Sequence, residues 1–300
     1  MNWITALQNA VDYIEDHLTE EIDYECAARA AASSCHHFQR VFHILFGITV
    51  GEYIRARRLT MAGAELAAGA KVLDTALRWG YDSPDSFARA YQRFHGFLPS
   101  QTREHGRMVK SFSRLSLEFT VKGGTVMEYR LEEKEALTLV GYKRRFTGTA
   151  DKRLEQEGDF YISTRFTQYA LEGLAGDCDT HYNILTNFAD DGYDYYIASR
   201  LSQYMTEDFE SVIGEDAARY ERIRIPEGLY LLCETKRCEY PTMEVEEVRR
   251  CAVTEWLPSL GYELDNRPEL SVNHWPRGLE WEAHMHERYV ELWLPVVKKA

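Results

Sequence analysis

One ten-residue phrase is written twice in the first third of this 300-residue chain. Phe38-Gln39-Arg40-Val41-Phe42-His43-Ile44-Leu45-Phe46-Gly47 and Phe87-Ala88-Arg89-Ala90-Tyr91-Gln92-Arg93-Phe94-His95-Gly96 both read F-x-R-x-[FY]-x4-G. Each copy has a serine four residues upstream, Ser34 and Ser83. A self-similarity at one interval within about a hundred residues means two copies of one small supersecondary unit.

The flanking residues say what that unit is. Trp3, Ile4, Leu7, Val11, Ile14 and Leu18 recur at helical spacing and predict a helix over 3–18. Asp23 can cap a short Ala-rich helix over 24–32, and a second helix runs from near Cys35 to Gly47. A longer helix over 50–68 follows, stopped by Gly69. The pattern then repeats as a helix over 72–79, a Gly80-Tyr81-Asp82 turn, and a helix over 84–94 with Ser83 as cap and Pro84 in its first turn. A short final helix is expected from Pro99 to about Arg103. Two short helices around a tight turn form a helix-turn-helix, whose second helix enters the major groove of DNA. Its buried face then carries Phe38, Val41, Phe42 and Leu45 in the first copy, and Phe87, Ala90, Tyr91 and Phe94 in the second. The outward residues are His36, His37, Gln39, Arg40 and His43, and Asp85, Ser86, Arg89, Gln92 and Arg93. Gln and Arg pair bidentately with adenine and guanine edges. Arg57 and Arg58, on the helix between the units, are expected to hold phosphates. Arg89 has a competing use, an ion pair with Asp82 or Asp85. The spacer helix, about 28 Å long at 1.5 Å per residue, suits two adjacent grooves on one face of a duplex.

The net charge of −13 has to be divided before it bears on this reading. Residues 1–108 hold 11 Lys/Arg against 13 Asp/Glu, and residues 109–300 hold 24 against 35. The first part is therefore near neutral, with arginines clustered at the repeats, and the acidic excess lies in the second. No apolar run is long enough to cross a bilayer and no basic-then-apolar leader opens the chain, so a cytoplasmic location is expected. Six scattered cysteines without a CxxC pair fit reduced thiols.

From residue 109 the texture alternates. SLEFTV, TVMEYRL, 136–145, 193–201 and 289–296 read as strands, and 158–174 and 242–258 as helices. The expected fold is multidomain: an all-α domain over 1–108 with two helix-turn-helix units joined by a long helix, then an α+β domain over 109–300. The latter is a duplicated strand-helix-strand-strand module.

Residues 13–107 resemble the AraC/XylS DNA-binding domain through YIEDHL, S-x3-F-x-R-x-F-x4-G, EYIRARRLTMAGAEL and ALRWGYDSPDSFARAYQRFHGFLPSQTR. The resemblance implies base reading by His36, Gln39 and Arg40, and by Asp85, Ser86 and Arg89. Ala32 stands where many members have the turn glycine, and Thr102 where a tyrosine is usual.

Residues 112–300 resemble the GyrI-like, gyrase-inhibitor-like, effector-binding domain through EALTLVGYKRRFTG, YDYYIASRL, IPEGLYLLCET, VTEWLPSLGYEL and RYVELWLPV. The resemblance implies a central groove for an apolar, often cationic, small molecule. Aromatic faces beside a carboxylate suit a desolvated cation. Tyr195, Trp256, Trp275, Trp281 and Trp293 are candidate walls, and Glu269, Glu280 and Glu282 candidate counter-charges; for any single one the plainer expectation is a core or solvated role. Glu282, His284 and His286 would share one strand face, a pattern that fits either a metal trio or a solvated loop. No nucleophile-base-acid set, phosphate loop or dinucleotide fingerprint is present in the sequence, and no cofactor is expected. The expected partners are promoter DNA and a small effector, with RNA polymerase a further partner open to a promoter-bound regulator. The competing readings are a drug-sequestering or small-molecule-hydrolysing protein with a secondary DNA-binding domain, and an acidic inhibitor of an enzyme such as gyrase. Any reorientation between domains is expected in the 105–115 junction.

Overall fold

A computed structural model describes residues 3–117, 128–148, 150–189, 191–202, 209–276 and 281–299. The chain divides into two compact units, one of residues 1–39 and 48–121, the other of residues 40–47 and 122–300.

Helix α1 (Trp3–Asp16) buries Ala6, Leu7, Ala10, Val11 and Ile14, the stripe its spacing predicts. Asp23 opens α2 (Tyr24–Ala30) by accepting from the Glu25 amide. The repeated phrases form α3 (Cys35–Phe46) and α6 (Pro84–His95). Between them run α4 (Val50–Ala67) and α5 (Val72–Arg78). Thr49 and Glu52 make a capping box that fixes the start of α4, satisfying two amide donors reciprocally. Ser83 caps α6, and Gly96 ends it at φ 93°. The segment after Pro99 is a single 3-10 turn, Pro99–Gln101, rather than a helix reaching Arg103.

The two helix-turn-helix turns solve one backbone problem with different residues. The second uses Gly80 at φ 77°, and the first places Ala32 at φ 50°. A Cβ in the left-handed region crowds the following carbonyl, so the first turn is strained by about 1–2 kcal/mol.

Residues 110–117 pack as part of the first unit. The Lys110 amide donates to His95 Nδ1, Phe112 to Thr60 Oγ1, Leu115 to the Tyr53 hydroxyl and Leu117 to Gln8 Oε1. Residues 110–117 thus group with the first unit, past the expected boundary at 108. The expected SLEFTV strand falls mostly outside the described residues.

The second unit is built on an antiparallel sheet. Its strands are β1 (Tyr129–Lys134), β2 (Leu137–Thr147), β3 (Thr180–Ala189), β4 (Gly192–Ser199), β5 (Glu221–Ile225), β6 (Gly228–Glu234), β7 (Tyr262–Leu264), β8 (Glu269–His274) and β9 (Tyr289–Lys298). The order is β1-β6-β9-β8-β3-β4-β2-β5, with β7 paired to β9. Read outward from the central β8–β3 pair, β3-β4-β2-β5 mirrors β8-β9-β6-β1. Within them β2-helices-β3-β4 and β6-helix-β8-β9 each run strand, helix, strand, strand, with β5 and β1 added at the edges, so the duplicated module is present. Helices α7 (Ala150–Ser163) and α8 (Arg165–Leu174) follow β2, and a helix from Val245 to Cys251, continued by a π turn to Trp256, follows β6. The predicted helix over 158–174 is thus two helices.

Two apolar clusters fill the two faces of the sheet. Tyr142, Phe146, Leu185, Tyr193, Tyr195 and Ile197 pack with Phe160 and Leu171 of α7 and α8 on one face. Leu139, Ile184, Tyr196, Tyr230, Leu270 and Val272 form the other.

Candidate functional site

On α6 the apolar face is inside, with Phe87 and Tyr91 fully buried. Asp85, Arg89, Gln92 and Arg93 are exposed, as the groove-entering face requires. Among the described residues no ion pair ties Arg89 to Asp82 or Asp85. Ser86 is half-buried, and its hydroxyl donates to the Ser83 carbonyl at 2.8 Å, closing the first turn of the helix.

On α3, Phe38, Val41 and Phe42 are buried. Leu45 is only half-buried, as are His36, His37 and Gln39. Arg40 departs from expectation. It is 2% exposed and forms an ion pair with Glu269 instead of facing solvent. His43 is also drawn in, its ring 5.5 Å from that of Tyr193 and 6.2 Å from that of Phe188. Arg40 and His43, in the 40–47 stretch that groups with the second unit, thus face acidic and aromatic side chains of that unit.

Arg57 and Arg58 are likewise committed within the protein rather than offered to phosphate. Arg57 makes a two-pronged pair with Glu15 on α1, at 2.8 Å for both contacts, and donates to the Phe112 carbonyl at 2.7 Å. The Tyr53 hydroxyl donates to the same carboxylate at 2.6 Å. These groups hold the Glu15 carboxyl below its ordinary pKa against the opposing effect of burial. Arg58 donates to the Leu18 and Glu20 carbonyls at 2.8 and 2.6 Å, closing the chain that leaves α1. The phosphate-holding expectation for both is replaced by a bracing one.

In the second unit, strand register decides which candidates can meet. Leu185 on β3 is flanked by Tyr195 on β4 and Glu269 on β8, so the three side chains share one cross-strand row. Glu269 Oε1 accepts from Arg249 Nε at 2.5 Å, and Glu269 Oε2 from Arg40 Nη2. Arg249 also reaches Glu246, which is largely exposed. The Arg40 guanidinium lies 4.2 Å from the Phe188 ring centre, and its buried Nη1 has no hydrogen-bond partner among the described residues. Burial pulls the Arg40 pKa down, opposed by Glu269 and assisted by Arg249, yet an arginine so placed stays charged. One buried carboxylate thus faces two buried guanidiniums. An unsatisfied buried donor costs about 1–3 kcal/mol, so the Arg40 seat is imperfect.

Beside this row lies a polar cluster under α7. The Tyr195 hydroxyl donates to Glu157 at 3.2 Å and lies 3.0 Å from the Tyr161 hydroxyl. Tyr195 stacks on Phe146 at 5.0 Å. Burial raises the Glu157 carboxyl above its ordinary pKa and drives Tyr193 up to about 12.

The tryptophan candidates do not join Tyr195. Trp293 pairs in register with Leu270 and stands on the opposite face of the sheet. Trp256 stacks on Tyr129 at 4.9 Å, beside the edge strand β1. Trp275 lies beyond the end of β8, 5.5 Å from His181 and under Arg288. Trp281 and Glu282 lie in a helix, Trp281–His286, and Glu280 falls outside the described residues. The shared strand face expected for Glu282, His284 and His286 is therefore absent, since on a helix positions 282 and 286 share a face that 284 leaves. Among the described residues no His/Cys/Asp/Glu group could hold a metal ion.

Sequence reading missed Glu157, Tyr161 and Arg249. It placed Glu269 among candidates without a strand to carry it, because Glu269-Leu270-Ser271-Val272-Asn273 is buried on both faces and its polar residues mimic an exposed edge. The alternation itself was a usable signal.

The chain thus joins two helix-turn-helix units of AraC type to a duplicated sheet of the GyrI-like effector-binding kind. A helix-turn-helix domain family matches residues 27–105. The family described as integron-associated effector binding protein matches residues 130–296, more than half of the chain, and the chain belongs to it. It is similar to the HTH-type transcriptional regulator YbfP of Bacillus subtilis, 33% identical over 104 residues, which are 34% of this chain and 35% of that one. It is also similar to the HTH-type transcriptional activator AarP of Providencia stuartii, 37% identical over 92 residues, 30% of this chain and 68% of that one. With the transcriptional regulator Rob of Salmonella typhimurium it shares 30% identity over 163 residues, 53% of this chain and 54% of Rob. The chain thus spans about a third of YbfP and about half of Rob. Among the described residues no helix is long and apolar enough to cross a membrane.

Proposed function

We propose that this protein is a one-component transcription regulator that reads promoter DNA through its helix-turn-helix units and answers to a small cationic effector. The reading rests on α6, where buried Phe87 and Tyr91 turn Arg89, Gln92 and Arg93 outward together. Arg89 and Gln92 read base edges, and Arg93 holds the backbone. The effector enters on the sheet face that carries Tyr195 and Glu269, where aromatic walls and one buried carboxylate suit an apolar cation. Control requires that the effector bind two states of the protein with different affinity.

Selection of bound sequences from a random duplex pool, with and without a panel of organic cations, tests this. Enrichment of one motif whose occupancy changes with a cation is the expected result. Recovery of unenriched DNA, with binding that only tracks salt, would remove the base-reading role.

A further inference from the structure

We propose that Arg40 is a tethered ligand of the effector face, and that the effector is a planar cation with N–H donors, an amidinium or guanidinium on an aromatic body, which displaces it from Glu269. The inference rests on the effector reading of that face. The seat itself describes the ligand. Glu269 receives one charged donor from Arg40, while the guanidinium plane lies against Phe188 at 4.2 Å. A carboxylate flanked by an aromatic ring is a receptor for a flat, delocalised cation. Both partners are 1% exposed in their side chains, so water has been expelled from the contact. The occupant fits incompletely, because Arg40 Nη1 finds no hydrogen-bond partner among the described residues. A free amidinium has no such tether, can turn both donors toward the carboxylate, and can place its ring among Phe188, Tyr193 and Tyr195.

Arg40 is also a base-reading candidate of the first repeat. It cannot lie on Glu269 and on a guanine edge at once. An effector that takes Glu269 therefore releases Arg40 for DNA, and by linkage DNA that holds Arg40 opens Glu269 to the effector. Removing Arg40 leaves Glu269 paired with Arg249, so the core keeps a balanced ion pair and should fold.

Isothermal titration of the full chain with benzamidinium tests the idea, with trimethylphenylammonium as a cation of equal charge lacking N–H donors. Benzamidinium should bind about tenfold more tightly to Arg40→Ala than to the unaltered chain, because a competitor has been removed. Trimethylphenylammonium should bind more weakly than benzamidinium. Binding should vanish when Arg40→Met is combined with Glu269→Gln, a pair that leaves no second unpaired guanidinium at the site. Saturating selected DNA should tighten benzamidinium binding to the unaltered chain. Equal affinity in the unaltered chain and Arg40→Ala, with loss in the double variant, overturns the tethered ligand and leaves the effector reading standing. Unchanged binding in the double variant, or none even in Arg40→Ala, overturns Glu269 as the effector carboxylate and the proposal with it. DNA that leaves affinity unchanged or weakens it overturns the release of Arg40 to DNA.

Discussion

Tyr195 and Glu269 flank Leu185 from neighbouring strands, about 10 Å apart across one row of the sheet. The row joins the two halves of the duplicated module at their seam, and it brings the Glu157–Tyr195–Tyr161 cluster alongside the Glu269 ion pairs.

Glu157 makes the first prediction. Its pKa is raised by burial, so the folded chain holds the neutral acid more firmly than the unfolded chain does. The resulting stability is fully present below the ordinary value of 4.5 and is lost as pH rises through the shifted pKa. Glu157→Gln, a neutral isostere, should escape that loss. Its melting temperature should exceed that of the unaltered chain at pH 7–8, and the two should converge toward pH 4.5. Parallel melting curves across that range would show that Glu157 does not titrate differently on folding.

Arg57 and Arg89 should separate bracing from reading. Arg57→Ala strands the buried Glu15 carboxylate and should cost about 3 kcal/mol of stability, seen in denaturant unfolding. Arg89→Ala removes no ion pair or hydrogen bond among the described residues and should leave stability within about 0.5 kcal/mol. It should instead lose about 1–3 kcal/mol of discrimination at one base pair, measured by competition with single-base operator variants. Uniform weakening on all sequences by Arg89→Ala would reassign it to the backbone.

Ala32 at φ 50° occupies a position where glycine has no steric penalty. Ala32→Gly should stabilise the first unit by about 1 kcal/mol, the relief of a left-handed Cβ less the added freedom of the unfolded chain. Denaturant midpoints of the two proteins check this, and a fall in midpoint would show that the turn relaxes elsewhere.

His95 supplies a pH prediction. It is buried, its Nδ1 accepts from the Lys110 amide, and its Nε2 lies 3.0 Å from the Leu59 carbonyl, so the ring is neutral with its proton on Nε2. Burial lowers its pKa below 6.5. The unfolded chain therefore binds more protons on acidification, and stability is present above pH 6.5 and falls as pH drops below it. His95→Gln should flatten the melting temperature of the unit between pH 7 and 5, and an unchanged slope would place the titrating group elsewhere.

The helices of the first unit were legible because their signals are local. Capping residues, glycine stops and a 3.6-residue stripe act within a turn or two, and the repeat wrote each one twice. The roles of the arginines on those helices were not legible. Arg57, Arg58 and Arg89 are alike as letters, and only distance to Glu15, to the Leu18 carbonyl, or to solvent tells them apart. In the second unit the sequence by itself determined the duplicated order of strands and helices and the aromatic, acidic character of the chain. Tertiary structure alone decided that Tyr195 and Glu269 share a face while Trp293 is turned away. The reason is that strand register, a pairing of residues distant in sequence, assigns every side chain to one side of a sheet, and a shift of one residue would reverse it.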